Sequence, residues 1–240
     1  MGTTGGRTGT RGFDAEGAAR YDARVRTGIP GYDALHDCTA ALLRSELGGN
    51  SRLLIAGVGT GEEVVRLGPP NPGWRFVGVD PSPAMLTIAR GRVAEAGMAD
   101  RTDLVEGTVA DLPADPPYDA ATLLLVMHFL LDVGAKLGVL RDIAARLRPG
   151  APLLLADLHG DPAGAPFALL LAAWRRRILD SGADPADVAT SFGRIREDIA
   201  FVPEARIAAL LAEAGFGLPL PFWRGLLFGG WLARRANGVG

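Results

Sequence analysis

A chain of 240 residues with 48% hydrophobic composition can bury one α/β-sized domain with a large core. A formal net charge of −2 gives no overall basic field for nucleic acid or anionic lipid, and the single cysteine, Cys38, excludes an internal disulfide and a cysteine metal cluster. No apolar run reaches the roughly 18–20 residues of a membrane span, and the Gly/Thr/Arg-rich start has no apolar signal-peptide core. The chain begins Met-Gly, but Gly6 stands where the myristoylation pattern requires Ser or Thr. The expectation is a cytoplasmic protein with a disordered tail over 1–12 and one domain over 13–240.

In chain order, Tyr32 to Leu47 reads as a helix with Leu35, Cys38, Leu42 and Leu43 near one face. Arg52 to Ala56 is a strand that breaks into the glycine loop Gly57-Val58-Gly59-Thr60-Gly61, and a helix follows from Glu62. Phe76 to Asp80 is the second strand. Ser82 is a good N-cap and Pro83 occupies the first helical position, so a helix runs from there to about Ala96 and stops at Gly97. A third strand falls near Asp103–Glu106, and the run from Tyr118 to Val126 is a fourth, apolar enough to be covered on both faces. Asp132 is placed to cap the next helix, which ends at Leu147-Arg148-Pro149-Gly150 before a fifth strand over Ala151–Ala156. Residues 158–203 carry helical pattern alone and read as an insertion, or lid. A helix from Pro203 to Ala214 and two closely spaced strands, Leu218–Trp223 and Leu227–Ala233, complete the chain. Strands alternating with helices predict a doubly wound, Rossmann-like parallel sheet with an antiparallel terminal hairpin and ligands at the strand C-terminal edge.

Glycines at alternate positions after a strand permit positive φ and remove the Cβ that would keep a ligand off the backbone. A dinucleotide loop, G-x-G-x-x-G, fits poorly because its third glycine would be Glu62, a residue repelled by pyrophosphate. A ligand ending in an amino acid fits better, since Glu62 and Glu63 are tolerable near a sulfonium or ammonium. Asp80 ends the second strand, where a carboxylate can accept from both hydroxyls of a ribose; its plainer role is that of a carboxylate before a helix N-terminus. Asp111, shortly after the third strand, is placed to recognise a base amino group or, more plainly, to make a turn.

The ordered series A-G-V-G-T-G, V-G-V-D-P-S, G-T-V-A-D-L-P, Y-D-A-A-T-L-L-L-V-M-H-F-L, L-R-P-G and F-G-G-W-L-A-R resembles class I S-adenosylmethionine-dependent methyltransferases over about residues 20–235. The resemblance implies a seven-stranded sheet and S-adenosyl-L-methionine as cofactor. Ile29-Pro30-Gly31-Tyr32, with Phe222-Trp223 and Phe228-Gly229-Gly230, looks closest to the carboxy-S-adenosylmethionine synthase family and its methyltransferase relatives. It implies Tyr32 as a cofactor contact, Gly57, Gly59 and Gly61 along the methionine end, Asp80 on the ribose, and Asp111 with Leu112 on the adenine. Leu124 stands where that family has a polar contact. Two departures follow: Leu210 occupies the position of the synthase's basic residue, which argues for ordinary methyl transfer, and Ile55 replaces the acid that usually stands two before the first glycine.

Methyl transfer needs alignment and desolvation, with a general base only for an acceptor that arrives protonated. His128 and His159, which follow the fourth and fifth strands, are the candidate catalytic bases; each has a structural alternative, and His36 reads as structural. Asp157, His159 and Asp161 are too loosely spaced to be read as a metal site. Arg175-Arg176-Arg177 spreads around its helix and reads as a solvated face. Phe167, Leu170, Leu171 and Trp174 are either lid core or the wall of an acceptor pocket. The expected function is methylation of an oxygen or nitrogen on a mostly apolar small molecule, with no membrane or nucleic-acid partner and a homodimer as a candidate assembly. The alternatives are a tRNA-modifying methyltransferase, a carboxy-S-adenosylmethionine synthase, and a non-methylating S-adenosylmethionine binder.

Overall fold

A computed structural model describes residues 25–114 and 116–237. The tail expected over 1–12 lies outside them. The elements are α1 (Tyr32–Glu46), β1 (Arg52–Ala56), α2 (Glu62–Leu67), β2 (Arg75–Asp80), α3 (Pro83–Glu95), β3 (Thr102–Glu106), β4 (Ala120–Leu124), α4 (Ala135–Arg146), β5 (Pro152–Leu158), α5 (Ala165–Asp180), α6 (Pro185–Asp198), α7 (Glu204–Glu213), β6 (Leu220–Gly225) and β7 (Phe228–Arg234). The sheet has seven strands in the order β3-β2-β1-β4-β5-β7-β6, parallel except for β7, which runs antiparallel to β5 and β6.

The side-chain alternation of the strands divides the core in two. Leu53, Ile55, Ala120 and Leu154 face Leu43, Val64 and Leu86 of α1, α2 and α3. Leu54, Ala56, Ala121, Leu123, Leu153 and Leu155 face Leu140 and Ile143 of α4 and Ile207, Leu210 and Leu211 of α7. Central strands β4 and β5 are buried throughout, which is why their runs are unbroken apolar, whereas β3 and β6 at the edges are partly exposed.

A third cluster closes the strand C-terminal edge. There Tyr32 and Leu35 of α1, Leu124, Leu158 and Phe228 of the sheet, and Phe167 and Trp174 of α5 pack together. Trp174 stacks edge-on against Phe192 and Phe228, and its indole N–H donates to Gly28 O at 2.7 Å. The helix α5 is thereby fastened to the segment before α1, with Phe167 and Trp174 buried in this cluster and Leu170 and Leu171 partly buried against it.

Several expectations shift. Strand β4 is shorter than Tyr118–Val126: Tyr118 only bridges to Leu147, and Leu125 turns into the left-handed region with φ 62°. Strand β5 runs on through Asp157 and Leu158, which places that aspartate inside the sheet. Asp132 does not cap α4; Gly134 does, because both Asp132 carboxylate oxygens are taken by Arg206 of α7 at 2.9 and 3.1 Å. The cap at Ser82 is as expected, its hydroxyl accepting from Met85 N.

Candidate active site

The glycine loop leaves β1 with Gly57, Gly59 and Gly61 all at positive φ. Gly57 is required by packing as well: a Cβ there would lie 2.3 Å from Val126 Cγ2. At Gly59 a Cβ would meet nothing within 4 Å, so this backbone lies open to an approaching group. Asp80 ties the loop to β2. Its Oδ2 accepts from Gly59 N and its Oδ1 from Ser82 N, each at 2.9 Å. Burial raises its pKa, and the two backbone hydrogen bonds oppose that shift. Each oxygen keeps a lone pair for a further donor, the requirement for holding two vicinal hydroxyls.

Asp111 closes the short turn Val109–Asp111, where its Oδ2 accepts from Thr108 N at 2.7 Å and Thr108 Oγ1 at 2.9 Å. Those bonds hold its carboxyl below the usual carboxylate range. Leu112 is buried in the core, and its carbonyl accepts from Arg146. Leu124 is buried in the cluster that contains Tyr32, and the Tyr32 ring meets His36 edge-on at 4.5 Å.

The two glutamates after the loop have opposite fates. Glu62 turns to three arginines, accepting from Arg26 at 2.5 Å, Arg66 at 2.7 Å, and Arg92. Burial opposes its ionisation, but the bonds from Arg92 and Arg66 outweigh it and bring its pKa down to about 2. Its carboxylate is spent within the protein. Glu63 turns inward beside Thr122 and is pushed up to about 7, chiefly by burial. Thr122 is the register partner of Ile55, so Glu63 of α2 lies against the β1–β4 strand pair.

The candidate bases also separate. His128 sits in the short turn Met127–Phe129 that follows β4. Asp157 Oδ1 lies 2.5 Å from His128 Nδ1 and also accepts from His128 N at 3.0 Å, with both residues buried. Imidazole must donate from Nδ1 to an ionised carboxylate, so Nε2 is the nitrogen left to accept a proton. His159 is committed elsewhere. Its Nε2 lies 2.9 Å from Arg224 Nη1, which can only donate, so its lone pair is spent. Burial and then the Arg224 charge hold it below the ordinary imidazole range. Arg224 also pairs with Glu204, which accepts from the Trp231 indole at 2.8 Å. Among the described residues no cluster of His, Cys, Asp or Glu could hold a metal ion.

A family model described as a methyltransferase domain matches residues 54–153. A demethylmenaquinone methyltransferase of Thermus thermophilus is 30% identical over 172 residues, covering 70% of this chain and 74% of the relative. A ubiquinone biosynthesis O-methyltransferase of Xanthomonas euvesicatoria is 30% identical over 196 residues, covering 80% and 72%. The chain belongs to the class I S-adenosylmethionine-dependent methyltransferases. The fold agrees: a structure from Bordetella parapertussis described as a possible exported protein superposes with TM-score 0.71 at 22% identity, covering 95% of this chain and 81% of that one.

As a methyltransferase the protein is an enzyme whose cofactor is S-adenosylmethionine. The strand edge suits that group: an open backbone at Gly59 and a carboxylate with spare lone pairs at Asp80 are what a ribose-linked amino acid requires. Asp157 is the partner of His128 that sequence order concealed in this methyltransferase. The pairing of Leu124 with Ala156, and the bond from Leu125 N to Ala156 O, bring the residues that follow β4 beside Asp157. Among the described residues no helix is long and apolar enough to cross a membrane.

Proposed function

We propose that the protein methylates a hydroxyl or amine on a mostly apolar small molecule, with His128 as the general base and Asp157 as the group that orients it. The observation that carries this reading is the buried His128–Asp157 contact of 2.5 Å at the cofactor edge of the sheet. Bound S-adenosylmethionine supplies an electrophilic methyl group on a sulfonium, which leaves as S-adenosylhomocysteine. His128 Nε2 takes the acceptor's proton as its oxygen or nitrogen lone pair forms the new bond to carbon. Asp157 holds the ring by Nδ1 and stabilises the imidazolium that results. The relatives named for menaquinone and ubiquinone biosynthesis support an apolar acceptor.

Cofactor labelled at the methyl group, incubated with the protein and a panel of apolar phenols and amines, should transfer label to one or more small molecules, resolved by mass spectrometry. Transfer to RNA alone, or tight cofactor binding without turnover on any acceptor, overturns the reading. The proposed roles at the cofactor are Asp80 on the ribose hydroxyls, Asp111 and Leu112 at the adenine, and Tyr32, Leu124 and the loop glycines along the methionine end. Asp80→Ala is expected to weaken S-adenosylhomocysteine binding by roughly 1.5–3 kcal/mol, the worth of charged hydrogen bonds. Calorimetry showing unchanged affinity refutes the ribose role.

A further inference from the structure

Basic residues in this chain are arginine almost without exception; Lys136 is the one lysine among 25 basic residues. It lies in the first turn of α4 and is fully buried. A buried ammonium costs several kcal/mol of desolvation unless it is hydrogen-bonded and balanced by a carboxylate. Its Nζ donates to Met127 O at 2.6 Å, and Met127 opens the turn that carries His128. Two carboxylates act on its charge, Asp157 and Asp132. Asp132 is already held by Arg206, which also pairs with Glu213. Asp157 is not paired with an arginine: Oδ1 serves His128, and Oδ2 is buried without a hydrogen-bond partner among the described residues. His159, whose charge state Asp157 also influences, is engaged with Arg224, which pairs with Glu204.

We propose that Lys136 is a positioning residue for methyl transfer: its ammonium anchors the turn that holds His128 and balances the buried Asp157 carboxylate. Arginine would not do this in the same way, because its broad, planar guanidinium cannot concentrate charge at one carbonyl oxygen as a compact ammonium does. The inference rests on His128 acting as base. The sign of its consequence does not depend on which member of the pair carries the proton. Removing a nearby cation makes adding a proton to the His128–Asp157 pair easier.

The test is the pH profile of kcat for the full chain with the methyl acceptor found above. Lys136→Met should move the acidic limb upward by about one pH unit, and Lys136→Arg should leave it closer to wild type. Cofactor affinity should change less than twofold in either variant, a split that general loss of structure would not produce. A folded Lys136→Met enzyme with an unmoved limb overturns the proposal. His128→Ala that keeps full activity at every pH overturns the base reading instead, so the two failures are distinguishable. If Lys136→Met does not fold, the single lysine permits a direct measurement. NMR of protein labelled with 13Cε-lysine should show a lower Lys136 titration midpoint in Asp157→Asn than in wild type, and an unchanged midpoint overturns the proposal.

Discussion

His128→Ala should lower kcat by about 10²–10⁴-fold, the range a positioned general base contributes, while S-adenosylhomocysteine affinity stays within about twofold of wild type because the cofactor roles proposed above belong to other residues. Asp157→Asn should lower kcat by about 10²-fold or more. An amide can present its N–H₂ to Nδ1, which favours the tautomer with the proton on Nε2 and removes the lone pair that must accept the acceptor's proton. The loss should shrink for acceptors of lower pKa, which reach the site already deprotonated and do not need the base. Because Asp157 also accepts from His128 N, the Asn variant needs its melting temperature measured alongside its rate. A folded His128→Ala enzyme that retains half of the wild-type kcat across the neutral range on a high-pKa hydroxyl would falsify the assignment.

The parts of this protein that a sequence expresses locally are those that could be read from it. An unbroken apolar run, a glycine loop, and Ser82 followed by Pro83 each act over a few residues, and each produced the expected element. The errors arise where a distant partner outcompeted a local rule. Asp132 has the composition and position of a helix cap, but a guanidinium 74 residues away offers it two charge-assisted bonds in place of one neutral N–H. Tyr118 belongs by pattern to β4, yet its backbone bridges Leu147, donating to Arg146 O and accepting from Arg148 N. The separation of the two histidines was equally invisible, since both follow strands at the same edge. What distinguishes them is that Asp157 reaches His128 across 29 residues and Arg224 reaches His159 across 65. Glu62 and Glu63, adjacent and chemically alike, differ because successive helical positions point about 100° apart, one toward the arginines and the other toward the sheet.

That division predicts a pH dependence of stability in which two buried groups on the same face of the sheet oppose each other. Glu63 has a folded pKa of about 7 against an ordinary value of 4.5, so between these limits the folded chain holds a proton that the unfolded chain has released. Stability therefore falls as pH rises through that window, by about 3 kcal/mol in total. His36, with Nε2 lacking a partner among the described residues, is depressed to about 4 from 6.5, chiefly by burial, so here the unfolded chain binds the extra proton. Its contribution is intact above 6.5 and is lost as pH falls toward 4, again by about 3 kcal/mol. Where the windows overlap the slopes cancel, and the wild-type urea midpoint should vary little between about pH 4.5 and 6.5. Glu62 does not disturb this balance, because its depression to about 2 acts below the overlap, and Asp80, raised by burial, and His159, lowered by burial, fall on opposite sides of the balance. Glu63→Gln removes one side of it. The variant should gain stability steadily as pH rises from 4 to 6.5 and should exceed wild type at pH 8 by about 2–3 kcal/mol, since it no longer requires a buried carboxylate to ionise. His36→Leu should show the opposite profile, declining as pH rises from 4.5 to 7. Urea titrations at half-unit pH steps separate the three curves. If Glu63→Gln runs parallel to wild type throughout, Glu63 ionises freely and the acid beneath the glycine loop is solvated. If the curves diverge as described, the loop rests on a carboxylic acid that stays neutral through the mildly acidic range and ionises only near pH 7, and the apolar end of β1 at Ile55 matches a site where charge is destabilising.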